Sequence, residues 1–172
     1  LWTAGLSFPD FEREYTFVSL RHDDEYPMNE GRLVSSNGLD IPVSEYEAYF
    51  TETHVEHSNA LHATLKGEGA YFVGPLARIN LNFDKLTPRC HQLASQIDFS
   101  PPCTNPFKSI QARSLEVLYA CEEALRIVRG LADNETPSVE VSAKPASGCA
   151  CTEAPRGILY HRYDFDDNGD IL

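Results

Sequence analysis

Tyrosine, phenylalanine and leucine interleave with polar neighbours over residues 15–21, and this alternation predicts a half-buried strand. Residues 32–35 predict a second strand. Asn37-Gly38 is a strong turn signal, across which residues 39–43 can pair back. Ser44 with Glu47 three positions later is a capping-box pattern and places a short helix start near Glu45. Gly67, Gly69 and Gly74-Pro75 punctuate a short strand at 70–73, after which a helix follows Pro75. A further helix is predicted over 87–96, and the proline-rich stretch 100–106 reads as a connector.

The clearest periodicity covers residues 107–129. Asn105 is a good N-cap and Pro106 a good first helical residue. Phe107, Ile110, Ser114, Val117, Cys121, Ala124 and Val128 recur at three- and four-residue steps, and Leu118 and Leu125 widen the stripe. The helix is expected to bury that face, with Glu122 and Arg126 pairing on the wet side and Gly130 as the stop. After a polar link, residues 138–141 and 157–165 predict strands, and Asn168-Gly169 turns the chain toward Ile171 and Leu172. A hairpin interrupted there reads as part of something larger. The expectation is an α+β piece, incomplete at both ends, with short strands and hairpins around one long helix.

Composition narrows the function classes. The 172 residues are 42% hydrophobic and 23% charged, which is globular rather than disordered. The net charge of −12, with no cluster of Lys and Arg, argues against nucleic acid as a partner. No apolar run is long enough to span a bilayer, and no basic, apolar leader opens the chain. The five cysteines are scattered and odd in number, so a reducing, cytoplasmic setting is expected rather than a disulfide framework.

The sharpest candidate chemistry is Glu153-Ala154-Pro155-Arg156-Gly157. Proline restricts the backbone before the arginine and glycine follows it, a frame that can aim one permanently charged guanidinium. Physics alone favours a plainer reading, a surface salt bridge between Glu153 and Arg156. With Ile158-Leu159-Tyr160-His161, however, the motif resembles the EAPRG signature of nickel–iron hydrogenase large subunits. Further ordered stretches resemble the cytoplasmic, multimeric, NAD(P)-linked branch of that family. They are Phe17-Val18-Ser19-Leu20-Arg21-His22, Glu25-Tyr26-Pro27-Met28, Leu33-Val34-Ser35 with Gly38-Leu39-Asp40, His54 through His62, and Tyr71 through Asn80.

The resemblance covers nearly the whole chain and implies a central segment, residues 1–172, of the large (alpha) subunit. It implies a nickel–iron centre on four cysteine thiolates, with cyanide and carbon monoxide on the iron, and reversible heterolytic cleavage of dihydrogen. It implies Arg156 as the catalytic cation over the open side of the metals, with Pro155 and Glu153 shaping the surroundings. It also implies an iron–sulfur small subunit, together with diaphorase-type subunits passing electrons to NAD(P). The sequence departs from the family in one respect: the two CxxC ligand pairs are absent, and Cys149-x-Cys151 has the wrong spacing. Both cysteines are expected to be small buried residues, and the stretch alone is expected to hold no metal and to be inactive.

Three alternatives accompany this reading. A relative that kept the fold but lost catalysis would serve as an assembly or interaction protein. His54, His57 and His62 with Glu52 and Glu56 offer zinc-ligating residue types, but match no HExxH spacing. Asp164-x-Asp166-x-Asn168-Gly169-x-Ile171 matches the first positions of an EF-hand calcium loop, although the preceding residues read as strand. The charge runs Glu12-Arg13-Glu14 and Asp23-Asp24-Glu25 read as solvated faces.

Overall fold

A computed structural model describes residues 2–131 and 137–172, so most of the polar link after Gly130 lies outside it. At its centre is β1 (Val18–Arg21), antiparallel to β2 (Arg32–Ser35), which pairs with β3 (Asp40–Ile41). The Asn37-Gly38 turn joins β2 to β3 as the sequence predicts, closed by Gly38 N–H donating to Ser35 O at 3.2 Å.

The half-buried reading of residues 15–21 is corrected, because Phe17, Val18, Ser19 and Leu20 are all buried. Phe17 enters one apolar cluster with Leu76, Ile79, Ala112 and Leu115, whereas Val18 and Leu20 enter another with Leu33, Ile41, Phe50 and Leu65. Ser19, the polar member of the alternation, meets a helix instead of water. Its hydroxyl donates to Leu20 O at 2.9 Å and accepts from Asn82 Nδ2 at 3.1 Å. These bonds remove most of the cost of burying it.

That helix is α2 (Pro75–Asn82), which starts with proline at a position where no N–H is missed. It packs between β1 and the long α4 (Ser109–Gly130). Between them, α3 (Pro88–Gln96) is capped by Thr87 Oγ1, which accepts from Cys90 N at 3.2 Å. Asn105 caps as predicted, accepting from Phe107 N at 3.0 Å, but it opens a 3-10 turn (Pro106–Lys108) that leads into α4.

The predicted apolar stripe of α4 is not the buried one. Phe107, Ile110, Val117, Cys121, Ala124, Leu125 and Val128 are exposed, and Ala112, Leu115, Glu116 and Tyr119 are buried instead. The helix is turned so that Glu116 meets a buried cation on α2, a strong local interaction that periodicity does not register. The Glu122–Arg126 pair is also corrected: Arg126 pairs with Glu123, and Glu122 accepts from the Thr87 hydroxyl at 2.5 Å.

Other local expectations also change. The Ser44/Glu47 capping box does not form. The chain leaves Pro42 through a 3-10 turn (Val43–Glu45) into a single helical turn, α1 (Tyr46–Tyr49), while Glu47 binds Arg162 at 2.6 Å. Residues 70–73 make only an isolated parallel bridge, Phe17 to Phe72, and residues 138–141 form no strand. Two strands that the pattern did not predict, β4 (Phe50–Thr53) and β5 (His62–Leu65), pair as a hairpin with one buried residue apiece, too few to leave a period.

The chain's last hairpin is β6 (Ala146–Ala154) against β7 (Gly157–Phe165). The β7 strand was predicted. Its partner was not, because Ala, Ser, Gly and Cys are weak strand formers without a cross-strand neighbour. Beyond β7 the Asn168-Gly169 turn forms, bringing Ile171 against Phe165. The result is a mixed helix-and-sheet arrangement, consistent with the α+β expectation, and no helix among the described residues is long and apolar enough to cross a membrane.

Candidate functional site

Ala154 pairs with Gly157 across the β6–β7 ladder, which leaves Pro155 and Arg156 as a two-residue turn at the hairpin tip. Arg156 is exposed, and among the described residues no hydrogen bond or ion pair engages its guanidinium. The expected Glu153–Arg156 salt bridge is therefore corrected. Glu153 turns inward, and its side chain is fully buried.

Glu153 belongs to a network that sequence reasoning missed. Arg78, 2% exposed on α2, donates from Nη1 to Glu153 Oε2 at 2.8 Å. The same guanidinium forms a bidentate pair with Glu116 on α4, Nε to Oε1 at 2.6 Å and Nη2 to Oε2 at 2.8 Å. Glu153 Oε1 accepts from Leu20 N at 2.9 Å, and the Tyr26 hydroxyl donates to Glu116 Oε1 at 2.7 Å. One cation thus faces two carboxylates in a site closed to water. Bidentate geometry and further donors of this kind are what allow buried charges to persist.

The electrostatics follow from that count. Burial pushes the Glu153 carboxyl above its ordinary value, and the opposing pull of Arg78 only partly offsets it. Burial would lower the Arg78 pKa, but the bonds to Glu116 and Glu153 outweigh it, so the guanidinium is held more firmly protonated. Burial and the neighbouring Glu116 carboxylate raise the Tyr26 phenol, which stays a neutral donor.

Arg78 also reaches the turn itself. Nη1 donates to Ala154 O at 2.8 Å and Nη2 lies 3.5 Å from Pro155 O. Half-exposed Arg113 on α4 adds a donation to Pro155 O at 3.1 Å. On the other side the turn lies against the start of α2. A Cβ at Gly74 would come 3.0 Å from Arg156 O, and one at Gly157 would come 2.7 Å from Val73 Cβ and Cγ2. Gly157 also has φ +133°, which other residues rarely adopt. Gly157→Ala is expected to lower stability by about 1–3 kcal/mol, read as a lower thermal midpoint. An unchanged midpoint would contradict the close packing of the hairpin on α2.

The other candidate groups separate. His54 and His57 lie in the loop between β4 and β5, and both are exposed, as is His62. His57 and His62 stack edge-on at 5.5 Å, and among the described residues no three His, Cys, Asp or Glu side chains converge as metal ligands. Cys151 is buried as expected, with its thiol pushed up to about 12 by burial and then by Glu153. Cys149 is exposed, a correction, because β6 runs past the edge of the core there. The calcium-like run Asp164–Asp166–Asn168 begins inside β7, and Asp166 Oδ1 accepts from the Asn168 and Asp170 N–H groups at 2.8 and 2.9 Å.

Arg78 and Glu116 left a faint trace in the sequence. Each is a charge set between apolar residues on a helix, Ala77 and Ile79 around one, Leu115 and Val117 around the other. Buried charges are seldom unpaired, so two opposite charges in apolar settings already invite pairing.

No family profile matches the chain. It is 36% identical over 153 residues to a polypeptide of the vhu F420-non-reducing hydrogenase of Methanococcus voltae, covering 81% of this chain and 36% of that protein. It is 34% identical over 157 residues to the alpha subunit of sulfhydrogenase 1 of Pyrococcus furiosus, covering 90% of this chain and 36% of that protein. The fold superposes on the crystal structure of an NAD+-reducing [NiFe]-hydrogenase in the H2-reduced state with a TM-score of 0.70 and 26% identity. That match takes in 94% of this chain and 39% of the other. The chain therefore spans little more than a third of the relatives it matches, and along that stretch it is a homologue of hydrogenase subunits.

Proposed function

We propose that this chain is the central stretch of a nickel–iron hydrogenase large subunit, and that Arg156 is the fixed cation beside which dihydrogen is split. The observation that carries this is the hairpin tip: an exposed guanidinium with no partner among the described residues, on a turn whose carbonyls are held from below. A preorganised cation stabilises charge that develops during a reaction without having to reorganise. Pro155 and the inward-turned Glu153 give the turn its shape.

Among the described residues no three His, Cys, Asp or Glu side chains cluster as metal ligands. In this reading the stretch contributes a charge and a shape beside the centre, while thiolates from CxxC pairs elsewhere in the protein hold the metals with their cyanide and carbon monoxide. The parent reaction is reversible oxidation of dihydrogen in the cytoplasm, with electrons leaving through an iron–sulfur small subunit, then through diaphorase-type partners to NAD(P). The likeness to an NAD+-reducing hydrogenase supports the choice of a nicotinamide acceptor.

The test is hydrogen-dependent dye reduction by the full-length protein produced with its small subunit. Turnover that depends on Arg156 supports the proposal. A full-length sequence without CxxC pairs on both sides, and a purified complex inert to hydrogen, would instead make it an assembly or interaction protein.

A further inference from the structure

We infer that Arg78, assisted by Arg113, is the positioning residue of the Pro155–Arg156 turn: it acts on the reaction through the place it gives Arg156. This deepens the proposed function and rests on it. The geometry is specific. A hairpin tip of two residues ordinarily leaves its carbonyls to water, yet here the Ala154 and Pro155 oxygens accept from guanidinium groups on two different helices, at 2.8 Å from Arg78 Nη1 and 3.1 Å from Arg113 Nη1, with Arg78 Nη2 a further 3.5 Å contact.

Arg78 is itself locked. Glu116 holds it through both oxygens and Glu153 through one, so its guanidinium cannot swing away from the turn. Glu153 is also bonded at Oε1 to Leu20 N, and its own N–H donates to Met28 O at 2.8 Å. Helix α2, helix α4, strand β1 and the tip end of β6 therefore converge on one cation, directly beneath the residue whose aim matters. A purely structural ion pair needs Glu116 and Glu153. It does not need the two turn carbonyls.

The experiment uses the full-length protein in complex with its small subunit, in the variants Arg78→Lys and Arg113→Ala. Arg113 is half-exposed and outside the buried network, so its truncation keeps the test intact if Arg78→Lys folds poorly. Amide hydrogen exchange is read first, and both variants are expected to speed exchange at Arg156 and Gly157 more than in β1. Hydrogen turnover is read second. Arg78→Lys is expected to lower kcat on the order of tenfold to a hundredfold with little change in KM, and to lower it hardly further once Arg156→Lys is present.

Unchanged exchange at the turn in both variants would overturn the clamp. So would a kcat loss from Arg78→Lys that repeats in full on the Arg156→Lys background, because Arg78 would then act through general stability. The parent reading fails separately, if Arg156→Lys alone turns over hydrogen normally. In that case the exchange result still decides whether Arg78 fixes the turn.

Discussion

Arg156→Lys in the full-length protein is expected to lower hydrogen turnover by on the order of 10²–10³ while leaving the fold and metal content in place. Lysine keeps the charge but not its form. A guanidinium is planar, offers five donors in a fixed fork and is weakly hydrated, whereas an ammonium is a compact point on a flexible stem. At the tip of this hairpin the held backbone gives either residue the same anchored starting point, so the loss comes from replacing a planar fork of donors with a single ammonium. The fold should not register the change, because Arg156 is exposed and makes no bond that the core needs. The measurement is kcat for hydrogen with a dye acceptor, beside metal analysis and a melting curve. Near-normal turnover would remove Arg156 from the reaction.

The largest loss of stability is expected from Arg78→Met. Removing the cation leaves the Glu116 and Glu153 carboxylates buried with no compensating charge, and breaking a buried pair in this way costs about 3–5 kcal/mol. The control is to add Glu116→Gln and Glu153→Gln to the same protein. With no uncompensated charge left, most of the loss should return, although the network has been dismantled. Calorimetric or denaturant unfolding would show it. A mild effect of Arg78→Met alone would mean that water reaches the site.

The same network gives a pH dependence of unusual sign. Most native carboxylates titrate below their unfolded value and stabilise the fold as pH rises. Glu153 is raised above its ordinary 4.5 by burial, because Arg78 is shared with Glu116. Between 4.5 and its raised value the folded state binds a proton that the unfolded state has released. Its contribution is therefore fully present below 4.5 and declines as pH rises through that window, by at most about 1.4 kcal/mol per pH unit. Comparing wild type with Glu153→Gln isolates it. The difference in unfolding free energy between the two should change with pH in that direction, and a flat difference would show that the carboxyl is not raised.

Much of the local structure was legible. The Asn37-Gly38 and Asn168-Gly169 turns, the starts of α2 and α3, the Asn105 cap and the strand 157–165 all formed near where neighbouring residues placed them. What was not legible depended on partners far along the chain. β6 has poor strand formers and exists because β7 pairs with every one of its residues. Ser19 is buried because a helix some sixty positions later covers it. Most of the longest periodic stripe, on α4, is exposed, with Leu118 partly buried against the core, and the face beside it carries Glu116 inward.

The hairpin tip divides in the same way. Glu153-Ala154-Pro155-Arg156-Gly157 by itself determined that the backbone around one arginine would be restricted, because proline and glycine act through their own backbone dihedrals. It did not determine the partner of Glu153. Arg78 stands 75 residues away, and Glu116, between the two in sequence, stands 38 from Arg78. Only the packing of α2 against α4 and β1 brings them together, and only burial then makes one cation between two carboxylates a strong and selective arrangement. The residue that faces outward was written in the local sequence. The residues that hold it in place were decided by tertiary structure, since exclusion of water is a property of the assembled core and not of any short stretch of chain.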